Sequence, residues 1–145
     1  MSIGRGRIIL LAATLAVTAA VVAGIVLLGS PAAQRRQRLD IARLHDLETI
    51  DRLVASFART HGTVPDSMEA LIHEPGYSVP RNDPESGAAY EYKQLSSDSY
   101  QICATFFTDS ASNTLGGSYA LSFNATWAHG SGRHCFVRHT DVSGK

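Results

Sequence analysis

The sequence predicts an α+β fold: an N-terminal transmembrane helix, then a long amphipathic helix packed on a three- to four-stranded antiparallel sheet. Three observations predict it. An uncharged apolar run extends from Ile8 to Leu28, apolar residues recur at helical spacing from Leu44 to Phe57, and the period changes to two at Tyr90. At about 1.5 Å per residue the apolar run reaches ~31 Å, the thickness of a bilayer's hydrocarbon core. A secretory signal has an apolar core of roughly 7–15 residues, so this run suits an anchor better than a cleaved leader. Residues 1–7 are then a short cytoplasmic tail, residues 8–28 the span, and residues 29–145 one extracytoplasmic domain. Ser30-Pro31-Ala32-Ala33 has the small residues of a cleavage site, so a secreted domain released by signal cleavage is the alternative.

Gly29-Ser30-Pro31 interrupts the first helix, because proline there removes one backbone hydrogen bond and clashes with the carbonyl four residues earlier. Helical periodicity then resumes. Leu44, Leu47, Ile50, Val54 and Phe57 fall on one face, while Asp46, Glu48, Arg52 and Arg59 lie off it, with Glu48 and Arg52 at a favourable i,i+4 spacing. Gly62 supplies a left-handed stop and Pro65 prevents resumption. Asp66-Ser67-Met68-Glu69 reads as a capping box with Asp66 as N-cap, opening a short helix to about His73 that buries Met68, Leu71 and Ile72.

From Glu74 to Gly87 the chain is rich in Pro, Gly, Asn and Ser and is a loop. Tyr90 and Tyr92 alternate with Glu91 and Lys93 as a half-buried strand, and Leu95 to Asp98 turns into a second strand, Ser99 to Phe107. Its inward face is Tyr100, Ile102, Ala104 and Phe106. Asp109 to Gly117 is a polar loop, Tyr119 to Thr126 a candidate strand, and Arg133 to Arg138 a further strand.

The two cysteines, Cys103 and Cys135, share the outer parity of their strands. Antiparallel neighbours in a non-hydrogen-bonded register would bring them within disulfide range. A disulfide pair suits a compartment outside the reducing cytosol. This sets the orientation, because Arg5 and Arg7 before the span nearly balance Arg35, Arg36 and Arg38 after it. The expected arrangement is a single pass through a membrane, with the C-terminal domain outside the cytoplasm.

Charge excludes some functions. With Arg5 and Arg7 set before the span, the rest of the chain carries 11 of the 13 basic side chains against all 13 acidic ones, which leaves no footprint for nucleic acid. The basic cluster Arg35, Arg36 and Arg38 is placed for membrane lipid, at the level of anionic head groups. His129 and His134, with Cys135 and His139, are the strongest candidates for chemistry, but the paired ligand spacings of a zinc site are absent, so no metal and no cofactor is expected. An extracytoplasmic enzyme or metal-binding domain using His129 and His134 is the rival reading. Serines lack a glycine-flanked nucleophile elbow, and Asp83 and Glu85 beside Pro84 and Gly87 read as turn formers before acid–base catalysts. Trp127 is either the cover of one end of a small core or an exposed anchor for a partner.

The order of anchor, long helix, proline loop and antiparallel meander resembles the pilins and the pseudopilins of type II secretion. The likeness is closest over His61-Gly62-Thr63-Val64-Pro65-Asp66-Ser67-Met68-Glu69-Ala70-Leu71 and Asp83-Pro84-Glu85-Ser86-Gly87-Ala88-Ala89-Tyr90-Glu91-Tyr92. The chain also looks like bacterial anchored proteins of unassigned role that add a Cys-Ala-Thr-Phe strand and a terminal Cys-Phe, here Cys103 to Phe106 and Cys135-Phe136. The resemblance implies a non-enzymatic scaffold or interaction module in a bacterial cytoplasmic (inner) membrane, with other envelope or secretion proteins as partners. Two family features do not carry over. Gly6 is followed by Arg7 with no acidic residue before Asp40, where a prepilin would have a cleavage site and an early glutamate. Asp109 is the only carboxylate between Asp98 and Asp141, so a calcium loop is not evident.

Overall fold

The apolar run forms helix α1, Arg5–Leu28, and its stretch Gly6–Ile25 has a mean hydropathy of 2.6 with none of it buried. It is long and apolar enough to cross a membrane. The computed structural model describes residues 4–28, 30–110 and 125–140. The chain divides into two compact units, Met1–Arg35 and Arg36–Lys145.

Helix α2 spans Pro31–His61, so the break falls where the proline predicts it. Proline at the first helical position has no N–H to lose there, and Ser30 caps it by accepting from the Ala33 N–H at 3.2 Å. Leu44, Leu47, Ile50 and Val54 are buried as their spacing requires. The last turn differs from expectation. Ala58 takes the buried position and Phe57 is only partly buried, stacking on His61. The helix stops at Gly62, whose φ of 73° only glycine adopts cheaply and whose N–H returns to the Ala58 carbonyl. The expected Glu48–Arg52 pairing is not made; Arg52 donates to the Thr49 hydroxyl instead.

The short helix α3, Met68–Ile72, starts one residue later than the capping box predicts. Ser67 is the N-cap, accepting from the Ala70 N–H, and Asp66 receives the Ser67 hydroxyl. Both residues are good caps, and the side chain one position nearer the helix reaches the free N–H groups.

Three strands, β1 (Glu91–Gln94), β2 (Ser99–Phe106) and β3 (Gly132–His139), form one antiparallel sheet in the order β1-β2-β3. Among the described residues the sheet has three strands, where three to four are expected. The candidate strand at Tyr119 to Thr126 lies outside the described residues as far as residue 124, and Ala125–Trp127 is a turn of 3₁₀ helix. Tyr100, Ile102, Ala104, Phe106 and Phe136 face inward and join the α2 stripe, Val64, Leu71, Tyr90 and Trp127 in one core. Tyr100 is fully buried, and its hydroxyl ends on Asp51 of α2. Burial and the Asp51 charge together push that phenol well above its ordinary pKa. The register pairs Cys103 with Cys135, and the two form a disulfide with a Cα separation of 4.0 Å, the closer of the two antiparallel spacings.

Candidate functional site

The most unusual chemistry lies where α2 meets the loop before β1. Extending the buried stripe of α2 back from Leu47 by threes and fours reaches Leu44 and Arg43, then Asp40. Asp40 and Arg43 therefore point into the fold, and they are 2% and 3% exposed. Charges at that depth need partners. Arg43 Nη1 donates to Asp40 at 2.9 Å, its Nε donates to Asp83, and Nη2 reaches Asp83 and Glu85 at 3.2 Å each. The guanidinium also lies 4.7 Å from the centroid of the Phe107 ring.

Asp40 is satisfied from the other side. It accepts the backbone N–H groups of Phe107 and Thr108 and the Thr108 hydroxyl at 2.8–3.1 Å. Asp83 folds its own turn as the sequence predicts, accepting from the N–H groups of Glu85 and Ser86 at 3.0 and 2.8 Å. Gly87 closes that turn with φ 68° and an N–H bond to the Asp83 carbonyl. The sequence missed the second role of Asp83, as ion partner of Arg43. Hydrogen bonding to Arg43 outweighs burial and, with the turn N–H groups, holds the Asp83 carboxyl well below the usual carboxylate range. For Arg43, burial opposes the charge, but the bonds to Asp83 and Asp40 overcome it and push its pKa further up.

Above this cluster is a shallow cleft of about 320 Å³, lined by Arg43, Asp83, Glu85, Ser86, Glu91 and Phe107 among others. Its chemistry is that of a latch. Each guanidinium nitrogen of Arg43 already donates within the fold, so no N–H fork is left to clamp an anion. The same contacts favour the charged form of Asp83, and among the described residues no histidine lines the cleft.

The residues singled out in the sequence are dispersed. Cys103 and Cys135 lie on the sheet face away from the core. Cys103 is nonetheless 5% exposed, because Arg133 covers it with Nη2 3.6 Å from Sγ while pairing with Glu91. Trp127 takes the core-covering role and not the exposed one. It meets Phe136 edge-on at 4.8 Å and carries the Arg138 guanidinium 4.6 Å above its ring. Arg138 in turn donates twice to Asp51, at 3.0 and 3.1 Å, tying β3 to α2. Arg35, Arg36 and Arg38 are exposed on the first turns of α2, and Arg36 lies 5.9 Å from the Phe107 ring.

The histidines do not converge. The His129 ring is buried flat against Phe106 at 3.8 Å, and the His129 backbone N–H donates to the Ser110 hydroxyl at 2.9 Å. Burial lowers its pKa below the ordinary imidazole value. His134 tilts against Phe136, and the Cys135 sulfur is committed to the disulfide. Among the described residues, no group of three or more His, Cys, Asp and Glu side chains is arranged to hold a metal ion. Neither a protein-family model nor a curated protein nor a solved structure matches this chain.

Proposed function

We propose that this chain is a membrane-anchored, extracytoplasmic scaffold or interaction module of pilin- or pseudopilin-like build, acting in secretion or envelope assembly and not as an enzyme. One observation carries it. A helix apolar enough to span a bilayer, with nothing buried, shares a chain with a small disulfide-bonded domain whose buried charges are spent on internal pairing. A disulfide on the outer face of the sheet agrees with display outside the reducing cytosol. The Ser30–Ala33 stretch is the cap and first turn of α2, so a peptidase would have to unwind helix to cut there, which supports retention of the anchor.

The test combines topology and processing. A reporter that is active only after export, fused behind Lys145, should be active, and a silent fusion sinks the assignment. The intact mass of the membrane-extracted protein should include α1. A chain beginning at Arg7 would return it to the filament pathway, and one beginning near Ala33 would make it a secreted domain. Zinc in the purified protein at one equivalent would favour the enzyme or metal-binding alternative over the scaffold.

A further inference from the structure

Three of the four acidic residues of α2, Asp40, Asp46 and Asp51, turn toward the fold and are taken up there, with the buried Arg43 beside them. Asp40 goes to Arg43, Phe107 and Thr108, Asp46 to the Tyr90 hydroxyl at 2.7 Å, and Asp51 to Tyr100 and Arg138. On the opposite face, Arg38, His45, Arg52 and Arg59 recur every seven residues, and all four are exposed. A seven-residue spacing drifts by only ~20° on a straight helix, so these side chains form one row. From Arg38 to Arg59 it runs ~32 Å along the axis. The small residues Ala42, Thr49 and Ser56 fill the spaces between them.

A merely solvated helix face usually mixes signs in i,i+4 pairs. This one does not. Arg38 and Arg59 make no ion pair among the described residues, and Arg52 turns to Thr49. Glu48, at the edge of the row, is the one acid near it and likewise pairs with no cation among the described residues.

We propose that this face of α2 docks on anionic lipid head groups of the membrane that holds the anchor. The proposal rests on the anchored reading above, and it reaches beyond the arginine cluster at the start of the helix to the whole exposed length of α2. Charge complementarity argues for it, and so does supply: an anchored chain keeps the row at high effective concentration beside a surface that is always present. An acidic protein would have to be recruited from solution to the same face.

The experiment uses the full chain in vesicles of phosphatidylcholine alone or with about one-third phosphatidylglycerol. A fluorophore on Ser56→Cys reports proximity to a lipid carrying a nitroxide on its head group, and one on Lys93→Cys, on the far face of the sheet, is the control. Quenching at position 56 should appear only in anionic vesicles, spare position 93, and fall as salt rises from about 0.1 to 0.5 M. Removing three cations with Arg38→Gln, Arg52→Gln and Arg59→Gln should lower the docking equilibrium about a hundredfold, at about fivefold each. An unchanged unfolding midpoint read by Trp127 fluorescence keeps that comparison fair. Equal quenching in neutral and anionic vesicles, or quenching that survives the triple substitution, overturns the proposal. Protection of the Ser56 label by poly-glutamate but not by anionic vesicles also overturns it and assigns the face to an acidic protein. A chain that does not float with either vesicle defeats the anchored reading instead.

Discussion

Replacing Arg43 by methionine tests whether the latch at the α2–loop junction holds the domain together. The substitution keeps most of the stem's volume and removes the cation from between Asp40 and Asp83, which are 2% and 9% exposed. Removing one partner of a buried pair costs about 3–5 kcal/mol, since the remaining charge keeps its desolvation penalty without its counter-ion. That is a large share of the 5–15 kcal/mol by which a typical domain is stable, and for one of this size it lowers Tm by roughly 12–20 °C. Urea titration of the detergent-solubilised chain, followed by the fluorescence of its single tryptophan, measures it directly, because Trp127 is buried in the same core. The pH dependence supplies a second check. In the parent, Asp83 has a depressed pKa, so its contribution is complete above the ordinary carboxylate pKa of about 4 and is lost as pH falls below that. In Arg43→Met the stranded carboxylates take up protons at higher pH, so the gap between the two proteins should narrow from pH 7 toward pH 4. Adding Asp83→Asn to Arg43→Met should recover at least ~1 kcal/mol by discharging one of them. A loss below about 1 kcal/mol for the single variant would refute the burial reasoning, because it would mean that water already solvates the cluster.

Other substitutions probe the remaining supports. Breaking the Cys103–Cys135 bridge, which closes a sequence separation of 32 residues, should cost about 3–4 kcal/mol in the chain-entropy model. Denaturation with and without reductant measures this, and peptide mapping should show the two cysteines linked. Leu47→Ala or Ile50→Ala, at fully buried positions, should each cost about 2–5 kcal/mol in the same titration. A smaller loss than that from Thr49→Ala on the outer face would contradict the core described above. His129 has a pKa lowered by burial, so the unfolded chain binds a proton first and stability falls as pH drops below the ordinary imidazole value of about 6.5. His129→Phe should therefore flatten the loss between pH 7.5 and 5.5, and an identical slope in both proteins would show that His129 titrates normally.

Local periodicity carried much of the fold. The α2 stripe, the proline break, the Asp83 turn and the alternation of β1 and β2 are each set within a few residues of chain, where side-chain spacing and backbone preference agree. Even the disulfide was legible, because strand parity puts Cys103 and Cys135 on the same face once the strands are neighbours. The cap of α3 shifted by one because Asp66 and Ser67 compete for the same role. At the end of α2, Ala58 is fully buried while Phe57 packs against the core from its edge, a half-turn detail that the apolar spacing alone does not resolve. The latch was not legible for a different reason. Asp40 and Arg43 read as solvent-facing charges by type, and their burial depends on Asp83, Phe107 and Thr108, which no local pattern links to them. The available signal was the register itself, since both positions continue the apolar face of α2. His129 likewise needed Phe106, a partner visible only after the strands are placed.

The polar attachments of α2 have a consequence for how the domain comes into being. Arg43 meets Asp83 across 40 residues of chain, Asp46 meets Tyr90 across 44, Asp40 meets Phe107 across 67, and Asp51 meets Arg138 across 87. The helix is made first and its partners last. With contacts this distant, loop closure must precede most of the reward, which puts folding in the slower, millisecond-to-second regime of sheet-rich domains. A chain still being made would carry Arg43 exposed until Asp83 arrived, Asp40 until Phe107 and Thr108, and Asp51 without Arg138 until β3. A chain cut short ahead of β3 would leave Asp51 without its guanidinium, Cys103 without its bridge and one edge of β2 unpaired. The last strand therefore completes an ion pair, a covalent bridge and a strand pairing in one step, and the domain closes only when its final element is in place.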